Sequence, residues 1–260
     1  MVTIHKIQSG RGHYYQVSGD PTVEGKRLTS VTAITGKLSY GSLVDWGVKT
    51  VTDTIPEVLE RYMGDVVSDY SARAMAESIS QEAKAKREAA ASLGTRLHEM
   101  IHESITNPYE SSDQPPLELD IELQELQRYF ASYKAWATSR QLVVTHSEEP
   151  VYNPLALYAG TIDIVGELDG KRVIIDIKTA GRGARDDMAM QLAAYQRAWK
   201  YTKGEDISQA LIVVVHADSV AEYPVDLAAA YDLFLMLATI HRRLLAGGTK
   251  LFTKGQVRAW

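Results

Sequence analysis

Residues 160–179, GTIDIVGELDGKRVIIDIKT, decide the fold. TIDIV and RVIIDIK are rich in β-branched residues and flank a polar Asp169-Gly170 pair, so two strands of a hairpin are expected. Successive strand residues face opposite sides. Asp176 and Lys178 therefore share a face, while Ile175 and Ile177 point into the core. Asp163, on the partner strand, stands where it could reach the same ion as Asp176. A carboxylate pair holds a hard cation through oxygen, and the ammonium beside it can orient or deprotonate a water and steady phosphorane-like charge. The chemistry these residues suit is phosphodiester hydrolysis.

Downstream, MQLAAYQ places Gln191 and Tyr195 four residues apart, which alone marks only one helix face. Upstream, GTRLHEMIH offers Gly94 and His98. The set Gly160-x-x-Asp163, Asp176-x-Lys178-Thr179 and Gln191-x-x-x-Tyr195, preceded by His98, resembles the PD-(D/E)XK nuclease superfamily in its RecB-like branch. Phage-encoded exonucleases of that branch look similar along most of the chain, including LTSVTAITG and the tryptophan helix LVDWGVK. The resemblance is strongest from about 92 to 200.

That resemblance implies an α/β (α+β) fold with the core order αβββαβ, a mixed central sheet and an N-terminal helical extension. It implies a Mg²⁺ or Mn²⁺ ion held by His98, Asp163, Asp176 and the backbone carbonyl of Ile177, with Lys178 acting on the attacking water. Gln191 and Tyr195 would position that water or the DNA. Related phage enzymes often carry a glutamate in the stretch corresponding to HSEEPVY. Glu148 and Glu149 face opposite ways on a strand, so one of them can approach the metal or the scissile phosphate, and Glu148 is favoured; ordinary edge-strand charges are the alternative. The implied activity is exonucleolytic cleavage of DNA in phage recombination or processing, with a recombination protein as a candidate partner.

Composition bounds these expectations. A chain of 260 residues suffices for one compact unit, here divided into a hairpin and helical extension over 1–91 packed on a nuclease core over 92–260. There is no cysteine, which excludes disulfides, thiolate zinc sites and the four-cysteine iron–sulfur cluster of many RecB-like nucleases. With no long apolar run and no signal-peptide pattern, a cytoplasmic protein without a membrane partner is expected, in the host cytoplasm if phage-encoded. The net charge of -5 argues against a protein that coats nucleic acid. Local charge differs: Arg242, Arg243, Lys250, Lys254 and Arg258 lie in a terminal stretch without acids. That stretch reads either as a phosphate-tracking surface, with Arg242 and Arg243 contacting DNA, or as a solvated tail.

Two other readings compete. HEMIH, from His98 to His102, fits the His-Glu-x-x-His pattern of zinc metalloproteases, with Glu99 as base, but no third-ligand motif follows it. A nuclease fold that binds DNA without cutting it is the other.

The remaining elements follow from periodicity. GHYYQVSGDPTVEGKRLTSV reads as a hairpin turning near Gly19-Asp20-Pro21, and Ser30 as the cap of a short helix. SLVDWGVKTVTDTIPEVLERYM reads as helical with a break or restart at Pro56, followed by a long helical region over 69–106 in which Gly94 permits close approach or a bend. A loop at NPYESSDQPPLELD precedes a helix from 117 to about 140, strands near 142–153, 156–167 and 171–178, and a helix over 186–202. ALIVVVHA is expected as a buried strand and VDLAAAYDLFLMLATIHRRLLAGG as a final helix.

Overall fold

The structure, a computed structural model, describes residues 2–10, 12–36, 38–63, 69–107, 121–179 and 183–245. Positions 108–120, expected from sequence to form a loop, and the basic positions Lys250, Lys254 and Arg258 lie outside the described residues.

The hairpin that decided the sequence reading is present as β5 (Tyr158–Leu168) and β6 (Lys171–Lys178). Leu168 pairs with Lys171, and Asp169 and Gly170 both take positive φ, 50° and 74°. That is the two-residue turn whose twist matches the strands it joins. On the other edge of β5 lies β4 (Val143–Asn153), antiparallel along its whole length. β7 (Gln209–Val215) then adds to β6 in parallel, and β8 (Val220–Pro224) closes that side antiparallel to β7.

At the other end of the sheet, β1 (Thr3–Ser9) and β2 (Gly12–Ser18) form an antiparallel hairpin. β2 pairs with the short β3 (Leu28–Ser30), which lies parallel to the start of β5 at Tyr158 and Ala159. The result is one mixed eight-stranded sheet.

β5 is the hub. Its β4 edge is paired throughout, whereas its other edge meets β3 only at Tyr158 and Ala159 and β6 only from Ile164 onward. Residues 160–163 lie in the gap between those two partners, so the sheet is split where Gly160 and Asp163 fall.

Helices cover both faces. On one face α1 (Val31–Thr35), α5 (Asp186–Lys203) and α6 (Leu227–Ile240) enclose a core that includes Ile162, Ile174, Trp199, Ile212 and Phe234. On the other, α3 (Asp69–Thr106) and α4 (Ile121–Ser139) bring Leu97, Ile101, Leu126 and Trp136 onto Ile164, Ile175, Ile177 and Val213. Ser30 caps α1, its hydroxyl accepting from the Ala33 N–H at 3.3 Å. α3 has 38 residues, about 57 Å at 1.5 Å per residue, and runs through residue 91 without interruption. Among the described residues no helix is long and apolar enough to cross a membrane.

Four local expectations are corrected. α2 (Ser39–Arg61) passes through Pro56 as one helix. The missing N–H removes one backbone bond, and packing of the fully buried Val58 beyond it offsets that loss. β2 pairs in register with β1 rather than mainly with the chain after the Asp20 turn, because Leu28–Ser30 is long enough for only two pairs. β8 is a strand between the apolar run and the last helix. That helix ends at Ile240 and loosens into a π-helical turn over His241–Leu245, and its expected end at Gly247-Gly248 lies outside the described residues.

Candidate active site

Glu148, Asp163 and Asp176 form a row across three adjacent strands. Ser147 pairs with Ile164 and Glu149 with Ile162, so Glu148 stands opposite Asp163; the β5–β6 ladder ends at Ile164–Ile175, one step before Asp163 meets Asp176. Opposed residues share a face, which is why acids from three strands converge. The alternation slips here, since Ile162 packs on the α5 side and Ile164, two residues on, on the α3 side. Glu148 has φ 52°, a left-handed conformation that costs a non-glycine residue about 1–3 kcal/mol. Strain of this kind is retained where it aims a side chain. Glu149, by contrast, is drawn to Lys203 on α5, 2.5 Å away.

Asp163 stitches the split. Its Oδ2 accepts from the Ile177 N–H at 2.7 Å, replacing the ladder bond that the parted strands do not make. Burial pushes its carboxyl up to about 6, reinforced by Asp176 and opposed by Lys178 and His98. Asp176 is 1% exposed; its Oδ1 accepts from Gln191 Nε2 at 3.2 Å. Lys178 Nζ lies 2.7 Å from Asp176 Oδ2, a charge-assisted contact that pairs the ammonium with the buried carboxylate. Burial lowers the Lys178 pKa, but Asp176 and Asp163 outweigh it and hold the group above its ordinary value. In this arrangement Lys178 is an ammonium, suited to orienting a water or steadying phosphoryl charge rather than to removing a proton.

His98 reaches the site from α3. Its Nε2 is 3.0 Å from the Ile177 carbonyl oxygen, and a carbonyl can only accept, so Nε2 carries the hydrogen. In the neutral ring Nδ1 is then bare, and it faces Glu148 Oε1 and Asp163 Oδ1, each 3.7 Å away. Burial lowers the imidazole pKa, but Glu148 and Asp163 raise it further, leaving it above its ordinary value. Donor atoms of His98, Glu148 and Asp163 lie within 4.8 Å of one another. Lone pairs converging without a donor between them require a proton or a cation, and a nitrogen–oxygen set fits a divalent ion.

Of the four ligands expected from sequence, His98 and Asp163 face this point directly. Asp176 is not among the converging donor atoms, its oxygens being engaged by Gln191 and Lys178, and the Ile177 carbonyl is engaged by His98 itself. Glu148 joins the convergent set.

Two glycines make room for close neighbours around the row. A Cβ on Gly160 would lie 2.2 Å from Tyr195 Cε1, so the glycine of Gly-x-x-Asp makes room for the tyrosine of Gln-x-x-x-Tyr. Gln191 Nε2 donates to Tyr195 Oη at 3.2 Å as well as to Asp176, tying both to one amide. A Cβ on Gly94 would lie 3.2 Å from Thr179 Oγ1, so this glycine serves close approach of α3 to the end of β6.

A cleft of about 680 Å³ opens over Glu148 and Asp163, with Asp176 behind its lining. α3 lines one wall with Gly94, Thr95, His98, Glu99 and His102; Lys6, His13 and Tyr15 of the β1–β2 hairpin also line it. The hairpin's part was missed in the sequence, because TIHKIQS lacks the alternation of a half-buried strand and HYYQV was paired with the chain after it. Arg242 and Arg243 do not line this cleft; Arg242 donates to the Ala238 and Ala156 carbonyls at 3.3 and 3.4 Å.

The zinc-protease arrangement does not form. His102 Nδ1 is 3.0 Å from Ser147 Oγ, and His102 is absent from the converging set. Glu99→Ala should therefore retain most DNA cleavage while His98→Ala loses it by about a hundredfold or more. Parallel DNA and zinc-dependent peptide hydrolysis assays check this; a peptidase activity lost in Glu99→Ala would overturn it.

A split mixed sheet with an acid row at the split, a lysine two residues beyond the last acid and a helix-borne histidine defines a nuclease-type core. The chain belongs to the PD-(D/E)XK nuclease superfamily, which it matches over residues 26–249. No curated protein sequence matches it. Among solved structures it is similar to a Eubacterium rectale protein named "Putative exonuclease", with 13% identity and a TM-score of 0.44 over 62% of this chain and 69% of that one. It is also similar to SSO0001, with 16% identity and a TM-score of 0.32 over 76% of this chain and 87% of that one.

Proposed function

We propose that the protein is a Mg²⁺- or Mn²⁺-dependent deoxyribonuclease, acting as an exonuclease on phage DNA in recombination or processing. The observation that carries this is the convergence of His98, Glu148 and Asp163 beside the Asp176–Lys178 pair. His98, Asp163 and Asp176 would hold the ion with Glu148, and the Ile177 carbonyl would join them if His98 releases it. When bound, the ion polarises the phosphoryl oxygen and lowers the pKa of a water. Lys178 steadies the charge that builds on the phosphoryl group, in a setting dry enough for that to count. Gln191 fixes Asp176 and Tyr195 so that neither drifts during turnover.

Because burial holds Asp163 at about 6, a proton competes with the metal as pH falls through that value. An oxygen-rich site accepts Mg²⁺, Mn²⁺ and the larger, less strictly octahedral Ca²⁺. Cleavage of end-labelled DNA is expected in Mg²⁺ or Mn²⁺, and binding with little turnover in Ca²⁺. Undiminished cleavage in excess EDTA would sink the metal mechanism. Metal-independent binding without any turnover would favour a DNA-binding derivative of the fold, and circular DNA as substrate separates exonuclease from endonuclease action.

A further inference from the structure

The cleft has a wall that the acid row does not explain. β1 and β2 reach it through Lys6, His13 and Tyr15, while α3 lines it with Thr95, His98 and His102. Lys6 lies opposite Tyr15 in the hairpin register, and the His13 ring meets Tyr15 edge-on at 5.5 Å. Tyr15 is buried, and its hydroxyl is 3.1 Å from Thr161 Oγ1, two residues before Asp163. The hairpin is thus fixed to the strand that bears the acids. Lys6 is exposed and the His13 ring half-buried, so both present polar groups to the cleft.

Charge and size both bear on the occupant. The floor is acidic, while the nearby hairpin contributes an ammonium and an aromatic ring. That combination suits one nucleic-acid strand, whose phosphates need a cation and whose bases need a flat partner. A volume of about 680 Å³ is that of a small-molecule pocket. It accommodates a nucleotide or two beside the acids, and only an unpaired base presents its face to a ring such as that of His13.

We infer that the β1–β2 hairpin is a single-strand guide, in which Lys6 takes a phosphate next to the scissile one and the His13 ring stacks on a base. The inference rests on the deoxyribonuclease reading and adds to it the form of the substrate, a single-stranded end lying between hairpin and α3. Lys6 sets the salt dependence of binding, since each phosphate contact on a single strand contributes about 0.7 to the slope of log K against log salt. His13 contributes affinity with little salt dependence.

The test is a fluorescence-anisotropy titration of a labelled single-stranded oligonucleotide against the intact protein in Ca²⁺ at several salt concentrations. Lys6→Ala should reduce the slope by about 0.7 and Lys6→Arg should restore it. His13→Ala should weaken binding by about tenfold or more with the slope unchanged. Thermal melting confirms that each variant is folded, and Lys6→Gln, closer in shape, replaces the alanine variant if that one is not. If wild type cuts DNA but Lys6→Ala and His13→Ala bind single strands as it does, the guide is refuted and the nuclease reading stands. Loss of duplex binding alone in these variants would likewise refute the single-strand assignment. A wild-type protein that neither binds nor cuts DNA in any of these metals removes both readings.

Discussion

Asp176→Ala and Lys178→Ala should each reduce metal-dependent DNA cleavage by at least about a hundredfold, for different reasons that two measurements separate. Asp176 is buried, with one oxygen held by Gln191 and the other paired with the Lys178 ammonium at 2.7 Å. Removing it would delete a proposed metal ligand and leave the Lys178 ammonium, 23% exposed, without its closest carboxylate, so metal affinity and stability should both fall. Lys178→Ala instead leaves the carboxylates without their nearest fixed cation. The variant should bind Mn²⁺ at least as well as wild type, because the electrostatic competitor is gone, yet turn over poorly because nothing steadies the phosphoryl charge. Calorimetric Mn²⁺ titration beside single-turnover cleavage distinguishes the two. Near-normal turnover by either folded variant would remove this site from consideration.

The parts of this arrangement legible in the sequence were those in which one segment carries its own pattern. Lys171–Lys178 coincides with the expected strand, and Asp186–Lys203 differs from the expected helix by one residue. In both, β-branched runs, the Asp-Gly turn or helical spacing sufficed without tertiary help. β8 was not legible, because VAEYP holds a glutamate and ends in proline. Its place comes from pairing with β7 and from Glu222, which accepts from Trp136 Nε1 at 2.6 Å and from Arg140 at 3.0 Å. β1 has no buried face, so alternation gave little signal.

The site shows the same division. Asp163, Asp176 and Lys178 were expected together from strand geometry, and they meet. Glu148 lies beside His98 and Glu149 beside Lys203, and the physical basis of that difference, the positive φ opposite Asp163, depends on a slip in alternation that no local pattern reports. The engagement of His98 with the Ile177 carbonyl, 79 residues away, is likewise a product of packing.

Gly160→Ala is expected to damage both stability and activity through one contact. A Cβ at residue 160 would sit 2.2 Å from Tyr195 Cε1 and 3.0 Å from Cζ, and the ring is buried with its hydroxyl held by Gln191. Either β5 or the ring must move by more than an ångström, an overpacking that costs about 1–3 kcal/mol. Gly160 lies three residues before Asp163, on the stretch of β5 unpaired along its inner edge, and Tyr195 shares Gln191 with Asp176. A shift of either partner therefore reaches a carboxylate, and misplacement of about 1 Å can cost about a hundredfold in rate. Tyr195→Ala removes the clashing ring. Chemical denaturation of the two single variants and the double variant should show strong coupling, with Gly160→Ala costing much less in the Tyr195→Ala background. Additive losses would mean that the glycine is required for some reason other than the tyrosine packed against it.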